Sequence, residues 1–500
     1  MEITFENNTT NIRREIYHQT KRTQESTESV VPDTDDDIGR ILSVQSFVML
    51  KSKDVTTRGV SISGEASAAV LYITENRESV SFVKLNRSFS IDYEVADISP
   101  DTTAQINLSV VNAEARVVNP RKIAVSFDIA GELSCFRQET INTETIPETG
   151  TDCGLYTKLE STELVFTDNA SEKTLAVSEQ FSFPAGKPTP SRLVSEEVRF
   201  NITDNQLVGT KIISKGEMKV CVCYLSDEVC YPVKTEFTTP FSQIIDIGTE
   251  NMDICTAHIE VTSAYFNLTE TMNGEKLLDA EVHAVLQLVC RSRHTVTYVS
   301  DAYSNRMPTL CEFEKKQFCT VCAAQKLRLS GDSRIEIADD CTDVLCAFVT
   351  IMNVTQNKSR LSADASLDIL YKASGGELSS VRRGMELECE CEDTALRFSE
   401  ITVTDIFLRP DGPFAEARLA LEVTAQAALS VEIERVCKVN LNDEAAYDLT
   451  QYPSVTLVKA EGESLWALAK KYRSNVDTIS AVNKIDGDIR GQFLLIPKVI

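Results

Sequence analysis

The chain repeats itself at a fixed spacing, and that register limits its fold more than any single motif. Pro32, Arg40, the pair Gly64-Glu65 and Tyr72 recur as Pro184, Arg192, Gly216-Glu217 and Tyr224, each 152 residues later. An ungapped match across residues 32–72 indicates domain duplication, because the period is several times that of a solenoid unit. A third, weaker copy follows: Ala363-Asp-Ala-Ser-Leu-Asp-Ile-Leu-Tyr371 aligns with Gly216–Tyr224 at a spacing of 147, without the upstream Pro and Arg.

The texture of the copies is β. Ile123, Val125, Phe127 and Ile129 alternate with Ala124, Ser126, Asp128 and Ala130, the period of a half-buried strand. Ser67–Thr74 is a short apolar run, and Ile123–Leu133, Leu278–Cys290 and Ala415–Leu429 correspond between copies. The expected architecture is multidomain and mainly β: three β-rich repeats followed by a small βααβ module. Expected units are a polar segment at 1–30, repeats at 31–145, 175–300 and 325–440, and the module at 453–498. Residues 9–23 are compatible with one helix but hold too few apolar residues to fix it. Asn142–Thr151 is polar and turn-rich, a linker candidate.

At 500 residues the chain exceeds one domain, and an apolar fraction of 42% leaves material for sizeable cores. The net charge of −25 disfavours non-specific binding to nucleic acid or anionic membranes. After Tyr452, seven basic residues stand against five acidic ones, so the rest of the chain carries −27. The amino terminus, Met-Glu-Ile-Thr-Phe-Glu, has neither the basic start nor the apolar run of a secretory signal, and no stretch is long and apolar enough to span a bilayer. The expected location is cytoplasmic, without membrane insertion. Fifteen cysteines, an odd number spread over a long chain, read as reduced core thiols rather than a disulfide scaffold.

Residues 455–497 read as a self-contained unit. Val455–Val458 is a strand, and Ser464 caps a helix whose Leu465, Leu468, Ala469 and Tyr472 share one face. Asn475 caps a second helix, with Val476, Ile479 and Val482 expected inside. Phe493–Ile496 closes as a strand, ahead of Pro497. Gly462, Ser464, Leu465, Trp466, Ala469, Tyr472, Asn483, Gly491, Leu494, Ile496 and Pro497 resemble the pattern of LysM domains, which bind N-acetylglucosamine-containing glycans such as peptidoglycan. That resemblance implies ligand contacts from Gly462, Glu463 and Ser464 and from Asp486, Gly487, Asp488, Ile489 and Arg490, largely through backbone groups. Glu463 departs from the family's more usual Asp. Trp466, the only Trp, is read as packing rather than sugar-stacking because of its helical position.

The segment Val31–Leu42 and the Gly-Glu…Tyr strand motif resemble SPOCS domains, β-rich units of spore-coat morphogenesis proteins. Several copies ahead of one terminal LysM domain is the layout of SipL-like proteins. The resemblance implies a non-enzymatic scaffold of the mother-cell cytoplasm, recruited to the forespore surface, whose partner is the coat-organising ATPase there. A peptidoglycan-binding protein is the second reading, and a hydrolase with a targeting module the third.

Catalytic and metal-binding patterns are weak, and no cofactor is expected. His18, His258, His283 and His294 do not form a His-Glu-x-x-His motif, and Gly59-Val-Ser61 lacks the second glycine of a nucleophile elbow. Asp279, Glu281 and His283 alternate along one strand face, where a solvated face is the simpler reading. Cys319-x-x-Cys322 with Cys341 and Cys346 has the residue types of a zinc site, but the second pair is too widely spaced, and packed thiols account for it. Cys221/Cys223 and Cys389/Cys391 each share a strand face.

Overall fold

The computed structural model describes residues 2–3, 5–76, 79–147, 153–250, 252–321, 324–337, 341–392, 395–485 and 487–499. The duplication appears as one strand plan used three times. In the first repeat, a short strand β1 (Glu2–Ile3) and a long β2 (Phe5–Val30) precede the meander β3 (Ile38–Thr56), β4 (Gly59–Thr74) and β5 (Val80–Glu94), then the hairpin β6 (Thr103–Asn119) and β7 (Lys122–Pro147). The second repeat runs β8 (Leu155–Ser182), β9 (Arg192–Val208), β10 (Lys211–Ser226), β11 (Val229–Asp246), β12 (Ile254–Glu270) and β13 (Lys276–Ser304). The third runs β14 (Thr309–Val321), β15 (Gln325–Glu336), β16 (Cys341–Asn357), β17 (Arg360–Ala373), β18 (Leu378–Glu390), β19 (Leu396–Asp411) and β20 (Phe414–Leu441).

Each repeat has two layers. The meanders form antiparallel ladders β3-β4-β5, β9-β10-β11 and β16-β17-β18. The second layer centres on the last strand of the repeat, flanked by its hairpin partner and by the leading strand: β6-β7-β2, β12-β13-β8 and β19-β20-β15. In the third repeat the leading strand is divided, and β14 and β15 pair with successive halves of β20. The stretch read as a polar segment with a helix-compatible 9–23 is therefore strand β2, paired with β7 along its length. Of the linker candidate, Asn142–Pro147 continues β7, and residues 148–152 lie outside the described residues.

The repeated residues have identifiable jobs. Tyr72 and Tyr224 are fully buried and donate from their hydroxyls to the carbonyls of Asp36 and Pro188, fixing the loop before each meander. A Cβ on Gly64 would lie 2.4 Å from the Phe89 ring, and one on Gly216 would lie 2.8 Å from Phe241 and 2.1 Å from the Asn201 oxygen. Glycine lets the aromatic ring of the next strand cross the backbone there. The repeated arginines tie neighbours together: Arg40 donates to the Leu378 carbonyl of repeat three, and Arg192 meets Asp35 of repeat one at 3.6 Å.

Strand alternation explains the sandwich cores, and its failure explains the assembly. Along β4, Ala66, Ala68, Val70 and Tyr72 face the repeat's own core, while Ala69, Leu71 and Ile73 are buried against the other repeats. The Ser67–Thr74 run is apolar because both faces are covered. Leu71, Cys223 and Leu370, at the repeat spacings of 152 and 147, share one cluster. A second three-way cluster joins Ile12, Leu164 and Phe318 with Ile141, Val296 and Ile433. Equivalent residues meeting twice give the body a pseudo-threefold arrangement. β1 returns to pair with β20, joining the start of the chain to repeat three.

Candidate functional site

The C-terminal module is strand β21 (Val455–Lys459), helices α1 (Leu465–Tyr472) and α2 (Val476–Asn483), and strand β22 (Phe493–Pro497), with β21 and β22 antiparallel. Both helix starts follow from their caps: the Ser464 side chain accepts from the Ala467 amide at 3.2 Å, and that of Asn475 from Asp477 at 2.7 Å. Arg473 and Lys484, at φ 56° and 50°, turn the chain out of each helix. The Asn483 amide pairs with Leu495 in both directions, at 2.6 and 2.7 Å, tying α2 to β22. Leu468, Ala469, Ile479, Ile489, Leu494 and Ile496 make the core. Val482, expected inside, is 48% exposed at the far side of α2.

The flanks of the two loops expected to form the groove are joined by backbone hydrogen bonds. The Gly491 amide donates to the Ala460 carbonyl at 2.7 Å, and the Ala460 amide to Gln492 at 2.9 Å. Gly462 and Gly487 take φ values of 131° and 105°, which glycine alone adopts readily. Gly462, Ser464, Gly487, Asp488 and Arg490 are exposed along this rim, and Glu463 is half-buried. The Glu461 amide donates to the Glu463 carboxylate and holds it below the usual carboxylate range. Asp488 accepts from the Arg490 amide, shaping the second loop. Ile489 points into the core, so only its backbone belongs to the rim. Asp486 lies outside the described residues.

The opposite face of the module's two-stranded sheet carries Val455, Leu457, Phe493 and Leu495, each between 44% and 66% exposed. Trp466 is not on a sugar platform. Its ring packs edge-on against Tyr303 of β13 at 4.9 Å, and its Nε1 donates to Asp301 at 2.8 Å. Lys470 donates to the same carboxylate, and the Tyr303 hydroxyl donates to the Ser474 carbonyl at 2.8 Å. The module is thus seated on the second repeat. Asp301 and Tyr303 carry no sequence motif, and their role emerges only from this contact.

The other candidates do not converge. Asp279 accepts from Gln180, while His283 and Glu281 form an exposed pair. Cys319 is exposed on β14, Cys341 packs beside Tyr371, and Cys346 lies at the three-repeat junction, where burial pushes its thiol up to about 12. Cys322 is outside the described residues. No cluster of three or more potential metal ligands occurs among the described residues, and no helix among them is long and apolar enough to cross a membrane.

The fold and the rim define a repeat-built β protein that ends in a glycan-binding type of module. Residues 37–118 and 191–269 match the family described as SipL, SPOCS domain, and residues 460–497 match the LysM domain family. Those segments are similar to two SPOCS domains and a terminal LysM domain, a combination that fits a SipL-like sporulation protein. The SPOCS matches span β3–β6 and β9–β12, and the third repeat shares their strand plan. Both families are binding domains rather than catalytic ones, and the LysM match supports binding of N-acetylglucosamine-containing glycans. No curated protein and no solved structure matches the chain.

Proposed function

We propose that this protein is a non-enzymatic scaffold of spore-coat morphogenesis, which works from the mother-cell cytoplasm and docks coat components at the forespore surface. Its LysM module grips a protein there, the coat-organising ATPase being the partner that family resemblance suggests. The observation that carries this reading is the exposed sheet face of Val455, Leu457, Phe493 and Leu495. Four large apolar side chains together on a small module suit a protein surface better than a sugar chain. The strand pairing supports repeat units that begin earlier than the sequence boundaries, at 5–147, 155–304 and 309–441.

The second reading, a peptidoglycan-binding protein, rests on the LysM match and the exposed rim around Gly462, Ser464 and Arg490. The two separate by mutation. Leu457→Lys with Phe493→Lys should abolish association with the ATPase and forespore localisation, while Arg490→Glu should affect only retention on purified peptidoglycan. Normal localisation of the double variant, with localisation lost in Arg490→Glu, would favour the glycan reading.

A further inference from the structure

Two thiols of the second repeat face each other across a ladder. Strands β12 and β13 run antiparallel with Cys255 directly opposite Cys290. Residues so placed project to the same sheet face, with Cα atoms roughly 4.5 or 5.5 Å apart according to their place in the ladder. Both separations fall within the roughly 4.4–6.8 Å that a disulfide spans. The sulfurs are already 3.1 Å apart, as free thiols. That is closer than the roughly 3.5–4.0 Å at which two smaller carbon atoms rest. The first repeat sets Ala104 opposite its buried Cys135, so the facing pair is not a general feature of the strand plan.

The two sulfurs differ in access. Cys255, the second residue of β12, is half-buried, whereas Cys290 is fully buried among Ile247, Ile259 and Leu288. Cys255 beside it, together with burial, pushes the Cys290 thiol up, against the opposing charge of Arg291. Cys290 thus keeps its proton and donates it to the Cys255 sulfur, which makes Cys255 the thiolate of the pair. An accessible thiolate backed by a second thiol is the arrangement that thiol–disulfide exchange requires.

We infer that Cys255 and Cys290 form a reversible oxidation site, closed by a small disulfide of the glutathione class into one intrachain bond between β12 and β13. The Cys255 thiolate attacks one sulfur of the oxidant, forming a mixed disulfide and expelling a thiolate. Cys290 then releases its proton, more easily once the neighbouring negative charge has gone, and its sulfur attacks that of Cys255. The second oxidant thiolate leaves. The protons of the two cysteines end on the two expelled thiols, and the electron pair that the cysteines lose reduces the oxidant. The new bond closes the β12–β13 hairpin at its open end, where the Asp253 amide donates to the Arg291 carbonyl and the Asp253 carboxylate accepts from the Arg293 amide. Constraining that loop restricts the unfolded chain, so the oxidised body resists unfolding.

The test is incubation of the folded full-length protein with oxidised glutathione, then alkylation and peptide mass mapping. A peptide pair joined through Cys255 and Cys290 and released by dithiothreitol is expected, with a rise in urea midpoint on oxidation that Cys255→Ser does not show. Cys290→Ala should arrest Cys255 as its glutathione adduct, and Cys255→Ser should leave Cys290 unmodified. Should Cys290→Ala fail to fold, Cys255→Ser, at the half-buried position, carries the comparison with wild type. Free Cys255 and Cys290 while the exposed Cys230 carries glutathione overturns the inference. So does wild-type Cys255 stopping at the glutathione adduct, glutathione on Cys290 in a folded Cys255→Ser, or an unchanged urea midpoint in the joined protein.

Discussion

The triplicated body and the terminal module close their cores in opposite ways. In the body, strands such as β4 are apolar on both faces, because the second face is completed by another repeat. In the module, two capped helices cover one sheet face, and the body adds Tyr303 and the half-buried Tyr156 to its core. The body's stability is therefore distributed over long-range contacts, whereas the module's is local. A scaffold can use that difference: a rigid body sets geometry, and a small unit on a few contacts is free to engage a partner.

The most severe break in this comparison is removal of residues 5–30. Strand β7 would lose its ladder partner along β2, and Ile12 would leave the three-way cluster. The body should lose its cooperative unfolding transition while the module keeps its helices. Far-ultraviolet circular dichroism during urea titration tests this, and a retained steep transition of the body would show that β2 is dispensable. Next in size is Gly216→Val. Its Cβ meets Asn201 and Phe241, and overpacking of this kind costs about 1–3 kcal/mol, read as a lower urea midpoint. The third repeat holds Ala363 at the matching position, so Ala363→Gly should change stability much less.

Smaller still is the loosening of the module from its seat. Asp301→Ala removes the acceptor of Trp466 and the partner of Lys470, a loss of about 1–2 kcal/mol in docking rather than in either core. Because Trp466 is the only tryptophan, its emission reports this contact directly. A red shift with unchanged circular dichroism is expected. An unchanged spectrum would mean that the seat is held by its other contacts, Tyr303, Tyr156 and the Asn305 bond to the Val499 carbonyl.

Legibility in the sequence followed the range of the contacts. The 152-residue register showed because Gly64, Tyr72 and Arg40 each meet a demand that recurs in every copy where the residue recurs. The helix caps Ser464 and Asn475 were readable because they act within three residues. Strand β2 was obscured because it lies at a sheet edge, where Thr, Gln, Glu and Arg fill the solvated face, and its partner β7 comes about a hundred residues later. Ile489 looked like a rim residue because spacing does not report side-chain direction in a loop.

The smallest effect separates the two regions by pH. His294 on β13 lies 2.7 Å from Asp168 on β8, with both side chains largely buried. The hydrogen bond to Asp168 raises the His294 pKa above its ordinary value, against the opposing pull of burial. The folded body then holds the proton more tightly than the unfolded chain. Its contribution is fully present below the unfolded value of about 6.5 and is lost as pH rises through the higher folded value. The module contains no histidine, so its transition should not share this slope. Urea midpoints measured from pH 6 to 9 should fall more steeply for wild type than for Asp168→Asn, in the body's transition only. Equal slopes for the two proteins would show that the pair contributes nothing, and a matching slope in the module's transition would show that body and module unfold as one.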